Sequence, residues 1–211
     1  MIHRLAPTDA GDNHVVHRRT ASRIYKWNTH WRSSVTTAVI RLKSMDASEL
    51  LDELSVRIYE PPLSLLREDG RISDVSQPIS VAMLLIDYDT ECSMNGILNF
   101  LGNSTGAYSR QTVLALRRIG CGDHADTLHE ICRIATDAGM THSAIQEDRA
   151  SLTEFSVTSF DDTHGSKWDD VTARIQALHD DVDFADLYDR LTSFVGANRH
   201  SIEPMLAHSG G

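Results

Sequence analysis

Glu91-Cys92-Ser93-Met94-Asn95-Gly96-Ile97-Leu98-Asn99-Phe100-Leu101-Gly102-Asn103-Ser104-Thr105-Gly106 is the most telling stretch of the chain. It starts on helix-compatible residues, meets an Asn-Gly pair, resumes with an apolar run and closes on turn formers. Just upstream, Ser76-Gln77-Pro78 opens a helix with proline in its first turn. Val81 to Ile86 is apolar on every side, which predicts a central, buried helix. That helix is expected to reach about Cys92, with continuation past Asn95-Gly96 left open. Gly102 to Gly106 reads as a loop, and Asp87 and Asp89 read as solvated.

Working outward, the helical period recurs on both sides. Downstream, Val113, Leu114, Leu116 and Ile119 form an inward stripe, with Gly120 as the C-terminal cap. Asp123 is placed to cap the next helix, whose stripe is Leu128, Ile131, Cys132 and Ala135 and which Gly139 ends. Residues 140–165 read as a short helix and a long polar loop. Trp168, Val171, Ile175 and Leu178 mark a further helix, as do Phe184, Leu187, Tyr188, Leu191 and Val195. From Ser201 the chain reads as a fraying tail. Upstream, Asp46 and Glu49 form an acidic capping pattern ahead of Leu50, Leu51, Leu54 and Ile58. Pro61-Pro62 stops that helix, and Glu68-Asp69-Gly70 reads as a turn. Only Val35 to Leu42 is ambiguous between strand and helix. The expected fold is all-α, an irregular helical bundle of about six to eight helices.

Charge divides the chain. Residues 1–43 hold eight Lys/Arg and two Asp/Glu, whereas residues 44–211 hold twelve and 28. A balance of +6 therefore precedes one of −16 within a formal charge of −10. We read residues 1–45 as a basic N-terminal extension, 46–200 as the helical domain and 201–211 as a C-terminal tail. In the extension, Arg18, Arg19, Arg23, Lys26 and Arg32 interleave with Tyr25, Trp27 and Trp31. Such a mixture contacts nucleic acid in some proteins. Here no RNA-binding motif accompanies it, and docking of the aromatics on the body is the simpler reading. Direct nucleic-acid contact is expected nowhere outside residues 18–32. Three cysteines, Cys92, Cys121 and Cys132, are too few and odd for a disulfide scaffold, and favour a reducing, cytoplasmic setting. No window has the roughly 18 apolar residues of a membrane span, and Met1 to Thr20 lacks the apolar segment of a secretory signal.

The chain carries few patterns that point to chemistry. No hydrolase elbow, P-loop, dinucleotide glycine pattern or zinc-protease helix is present. Cys121-x2-His124 with His129-x2-Cys132 uses zinc-type ligands. On a helix, His124 and His129 fall about 500° apart around the axis and face different sides. No metal and no cofactor is expected. Glu91 and Asn95 stand four residues apart on one helix face, a spacing that more often ties a helix to a loop than builds a catalytic pair.

The acidic C-terminal third stands out. Nine aspartates and two basic residues lie between Asp161 and Asp189. Asp183, Asp186 and Asp189 recur every third residue, which on a helix spaces carboxylates about 4.5 Å apart along the axis. Phosphates on one DNA strand advance about 3.4 Å. A rigid acidic helix therefore offers charge on a comparable scale. Helix-start placement explains part of the pattern too: Asp169, Asp170, Asp180, Asp181 and Asp183 are read at helix beginnings, where acids favour the macrodipole.

The order Glu91 … Asn95-Gly96 … Phe100 … Asn103-Ser104-Thr105-Gly106, followed by Ala115-Leu116-Arg117-Arg118-Ile119-Gly120, resembles a bacterial domain family of otherwise unknown function. That family includes an acidic, dimeric neisserial DNA mimic. The resemblance is strongest over residues 90–136, looser over 47–89 and 166–198, and absent from 1–45. Ile97 stands where the family has a second glycine, and Cys121 and Cys132 where it commonly has small residues. The resemblance implies an all-helical, dimeric protein without enzymatic activity. It implies a structural role for Glu91, Asn95, Gly96, Phe100, Asn103, Gly106 and Gly120.

The leading expectation is an acidic, non-enzymatic binding protein. Its partner would be a basic DNA-binding protein, a transcriptional regulator or nucleoid protein, whose DNA-binding face it occupies. The residues expected to make that contact are Asp180, Asp181, Asp183, Asp186 and Asp189, then Asp169 and Asp170. The alternative is an immunity- or antitoxin-like protein that neutralises a toxin enzyme. A third reading is an enzyme built on Glu91, Asn95 and Asn103.

Overall fold

The computed structural model describes residues 42–150 and 165–207. The basic stretch 18–32, the segment 35–41, and Asp161 and Asp162 lie outside them. Every regular element among the described residues is helical. In chain order these are α1 (Ala47–Arg57), α2 (Leu63–Glu68), α3 (Pro78–Gly102), α4 (Ser109–Arg118) and α5 (Gly122–Asp137). Then come α6 (His142–Ala150), α7 (Asp169–Asp180), α8 (Ala185–Ala197) and α9 (Arg199–Ala207). Short 3₁₀ turns cover Arg71–Ser73, Ser104–Tyr108 and Gly165–Trp168. The fold is all-α, as the periodicities require.

The apolar run decides the architecture. Val81, Ala82, Met83 and Leu85 are fully buried, so α3 has no solvent face along its first half. Helices α4, α6, α7, α8 and α9 all pack against it. Proline at its first position has no N–H to leave unpaired. The helix passes Asn95-Gly96 at the cost of a kink: Gly96 takes φ 78°, ψ 171° and splits α3 in two. A left-handed φ is open to glycine without a Cβ clash, so the Asn-Gly pair marks a bend, not an end.

Local signals explain the other boundaries. The Asp46 side chain accepts from the Glu49 N–H at 2.9 Å, and the Asp46 N–H donates to Glu49 Oε2 at 2.8 Å. This capping box starts α1. Gly120 (φ 86°) and Gly139 (φ 72°) turn the chain after α4 and α5. In both, the next N–H reaches back five residues, Cys121 to the Leu116 carbonyl and Met140 to the Ala135 carbonyl.

Five expectations need correction. Helix α5 begins at Gly122, so Asp123 lies inside its first turn and does not cap it. Leu114 is 44% exposed, and Thr112 takes the inward place beside Val113 and Leu116. Gly102 to Gly106 is not an open loop, because Ser104–Tyr108 winds into a 3₁₀ turn. The Pro61-Pro62 pair ends α1 but also precedes a helix, since α2 starts directly after Pro62. The C-terminal segment does not fray at Ser201. Helix α9 continues to Ala207, burying Ile202, Leu206 and Ala207 despite Pro204 in its interior. Arg57 Nη1 donates to the Leu206 carbonyl at 3.1 Å and Arg199 Nη2 to the Met45 carbonyl at 2.5 Å, so this end is tied to α1 and its approach. Of the nine α-helices bounded within the described residues, eight have seven residues or more, in line with the expected helical bundle.

Candidate partner-binding surface

Two groups of polar residues emerge, one holding helices together and one facing outward. The first begins at Glu91, whose Oε2 accepts from Asn103 Nδ2 at 2.6 Å and ties α3 to the turn that follows it. Phe100, 1% exposed, sets its ring edge-on to Tyr88 with centroids 5.1 Å apart. Gly106 is buried under the end of α3. A Cβ there would stand 2.3 Å from the Leu101 carbonyl oxygen and 2.5 Å from that of Phe100. Only glycine lets the backbone come this close.

Asp87 belongs to this group too, contrary to the solvated position expected for it. It is 2% exposed and sits in the buried half of α3. Both Arg67 terminal nitrogens donate to its carboxylate, Nη2 to Oδ1 at 3.0 Å and Nη1 to Oδ2. The Tyr59 hydroxyl donates to Oδ1, also at 3.0 Å. The guanidinium lies 5.0 Å over the Tyr59 ring. Burial pushes the Asp87 carboxyl up, opposed by Arg67 and Tyr59. Burial and the neighbouring carboxylate push the Tyr59 hydroxyl up to about 12, which keeps its proton available to donate. A signal was present: a charge within a helix apolar on all sides needs a partner.

The second group is the aspartates. Asp169, Asp170, Asp180, Asp181, Asp183, Asp186 and Asp189 are all exposed. The structure does not gather all seven. Asp169 and Asp170 start α7 and Asp180 ends it, which separates them by about 15 Å along the axis. Asp180, Asp181, Asp183 and Asp186 instead crowd the connection between α7 and α8, with Asp189 one turn further.

Only some sit where helix dipoles welcome them. Asp169, Asp170 and Asp186 occupy first turns. Asp180 and Asp181 lie at the C-terminal end of α7, not at a helix beginning. That is the end where carbonyls point outward and a negative charge is disfavoured. Gln176 Nε2 donates to Asp180 at 2.7 Å, and Asp186 pairs with Arg190 at 2.5 Å. Asp183 lies before α8, where its carboxylate accepts from the Ala185 N–H at 2.9 Å. The helical row of three is therefore a row of two, Asp186 and Asp189. Among the described residues Asp169, Asp170, Asp181 and Asp189 form no ion pair.

Two shallow grooves mark the surface, of which one reaches the aspartates at Asp189. One, of about 440 Å³, is lined by Arg118, Ile119, Asp189, Arg190, Ser193 and Phe194, so two cations border the acids on that side. The other, of about 480 Å³, runs along α1, which packs on α8. Glu49, Asp52 and Glu53 line it beside the exposed Val56. These α1 acids were legible only as a capped helix, since no linear pattern joins them to α8.

The zinc-type residues do not converge. His124 is 5% exposed and bonds the Asp183 backbone, His129 faces solvent, and Cys121 and Cys132 are free thiols, the first buried and the second half-buried. No group of three or more ligand-type side chains among the described residues is arranged to hold a metal. No described helix is long and apolar enough to cross a membrane.

Fold and surface together define a helical domain that pairs its buried carboxylate, Asp87, and turns the aspartates of α7 and α8 outward. The profile of the DMP19-like protein family matches residues 73–198, more than half of the chain, which therefore belongs to that family. The match contains the strongest resemblance, residues 90–136, and extends through α7 and α8. Helices α1, α2 and α9 lie outside it. No curated protein and no solved structure matches the chain.

Proposed function

We propose that this chain is an acidic, non-enzymatic binding protein of the cytoplasm. It acts as a dimer and occupies the DNA-binding face of a basic partner, a transcriptional regulator or nucleoid protein. One observation carries this reading. The aspartates that crowd the α7–α8 connection are exposed, and two of them, Asp180 and Asp181, stand at a helix end whose dipole disfavours negative charge. Membership of the DMP19-like family supports the same reading.

The chemistry is that of phosphate replacement. A protein that binds DNA by neutralising phosphates does so with Lys and Arg, and its affinity falls steeply with salt. Carboxylates near 4.5 Å spacing on Asp186 and Asp189 present charge to those side chains on a similar scale. Glu91 and Asn103 serve as structure here, because each satisfies the other.

The test is capture of partners from the source organism's lysate at low and high salt, with and without added duplex DNA. Basic DNA-binding proteins should be held at low salt and released by either salt or DNA. Salt-insensitive capture of an enzyme whose activity is lost on binding would replace this reading with a toxin-neutralising one.

A further inference from the structure

Between α7 and α8 the chain is held by a single aromatic plug. Phe184 stands 5.7 Å from the Tyr88 ring, 5.1 Å from the His124 ring and 5.1 Å from the His179 ring. Three helices thus grip one side chain: α3 through Tyr88, α5 through His124 and α7 through His179. His124 also holds the backbone, with Nε2 2.8 Å from the Asp183 carbonyl oxygen. A carbonyl only accepts, so Nε2 carries the hydrogen and Nδ1 is the bare nitrogen of the neutral ring.

That Nδ1 is buried and has no partner, and neither does the buried Nε2 of His179. In neutral rings an unpaired acceptor nitrogen at His124 is tolerated. A second proton on His124 would place an N–H at Nδ1 with nothing to receive it, inside an apolar cage. Two charged imidazoles on one phenyl ring would also repel each other.

We propose that His124 and His179 form a proton-sensitive latch on Phe184, closed when both rings are neutral and released on acidification, which frees the α7–α8 connection and its aspartates.

The groups facing the latch act in both directions. From α3, Asp89 faces His124 and attracts a cation, but Asp89 is half-buried and burial raises its own carboxyl. Tyr88, also on α3, is a buried phenol held neutral by burial. On α7, Asp180 draws a proton toward His179, while burial and His124 oppose it. Burial is the largest of these, so His179 lies below the usual imidazole range. The Asp183 carboxylate is turned to the Ala185 N–H.

The sign follows from linkage. A histidine whose closed-state affinity for protons is depressed favours closure fully above the ordinary imidazole value of about 6.5. As pH falls below that value the open form takes the proton first, and closure weakens until the closed form protonates too. For His179 this raises the opening constant up to about tenfold between pH 7.5 and pH 5.5.

Amide hydrogen exchange on the full chain reads this directly. After correction for intrinsic rates, Val182 to Ala185 should open five- to tenfold between those pH values, while the buried half of α3 stays protected. In His124→Gln/His179→Leu, glutamine keeps a donor for the Asp183 carbonyl but neither position titrates. Its exchange should lose the pH dependence. An unchanged pH dependence in that variant, or none in the wild type, overturns the latch. Imidazole titration of the wild type by NMR guards against a variant that does not fold. The His179 ring should titrate below free imidazole, with the amides of Val182 to Ala185 shifting at the same midpoint. Histidines that titrate while those amides stay fixed overturn it as well. The consequence for partner binding rests on the proposed function, but the exchange measurement needs no partner, so either idea can fail alone.

Discussion

The Arg67–Asp87–Tyr59 cluster and the Asp180–Asp186 cluster are both acidic sites on helices, and they differ in everything that matters. Asp87 is 2% exposed and meets three donors. Asp180 and Asp181 are exposed at the end of a helix that would be better off without them. The first cluster explains itself as structure, because removing one partner strands a buried charge. The second has no comparable structural account. That contrast is the reason to look for function at α7–α8 and not on α3.

Substitutions can break or sharpen this division. The largest loss is expected for Asp87→Ala, which leaves Arg67 beside an apolar helix without its partner. Breaking a buried pair costs about 3–5 kcal/mol, and with Arg67 about one-fifth exposed the lower figure applies. Urea unfolding would measure it. Next comes Gly106→Ala. Its Cβ meets backbone oxygens and not a flexible side chain, so the effect falls near the top of the roughly 1–3 kcal/mol of ordinary overpacking. Glu91→Ala removes one bond to Asn103 at a half-buried site and should cost about 1.5 kcal/mol. A catalytic role would instead leave stability intact. At the bottom of the scale, Asp180→Asn/Asp181→Asn should leave the melting temperature unchanged or slightly raised, since it removes charge from the negative end of α7. A clear loss of stability there would erase the contrast.

Much of the fold was legible because periodicity reports burial directly. The run Val81 to Ile86 identified the central helix, and Gly120 and Gly139 marked real helix ends. What failed depended on tertiary contacts that carry no linear signal. Ser201 onward is polar enough to read as a tail, yet Ile202 and Leu206 find a place on α3 and Arg199 a carbonyl near α1. Asp87 was read from its neighbours Asp89 and Glu91, whereas its partners come from 20 and 28 residues away.

The surface was legible only in part. The sequence shows that acids are abundant between Asp169 and Asp189, but not that α7 separates two of them from the rest. Nor does it reveal that Asp183 stands outside α8, or that α1 packs on that helix. The paired cysteines and histidines taught the reverse lesson. Their helical spacing already told against a metal site, but not that His124 is a donor to a backbone carbonyl inside an aromatic cage.

The central claim is that the α7–α8 aspartates bind a basic partner. It is tested most directly by measuring the captured partner's affinity at increasing salt, for the wild type and for Asp180→Asn/Asp181→Asn/Asp183→Asn/Asp186→Asn. Asparagine keeps a side-chain oxygen at position 183 to accept from the Ala185 N–H. The account predicts a wild-type affinity that falls steeply with salt. The variant should be at least tenfold weaker at low salt, with a shallower dependence and a folded stability within about 1 kcal/mol of the wild type. Equal affinities and equal salt slopes for the two proteins would contradict it.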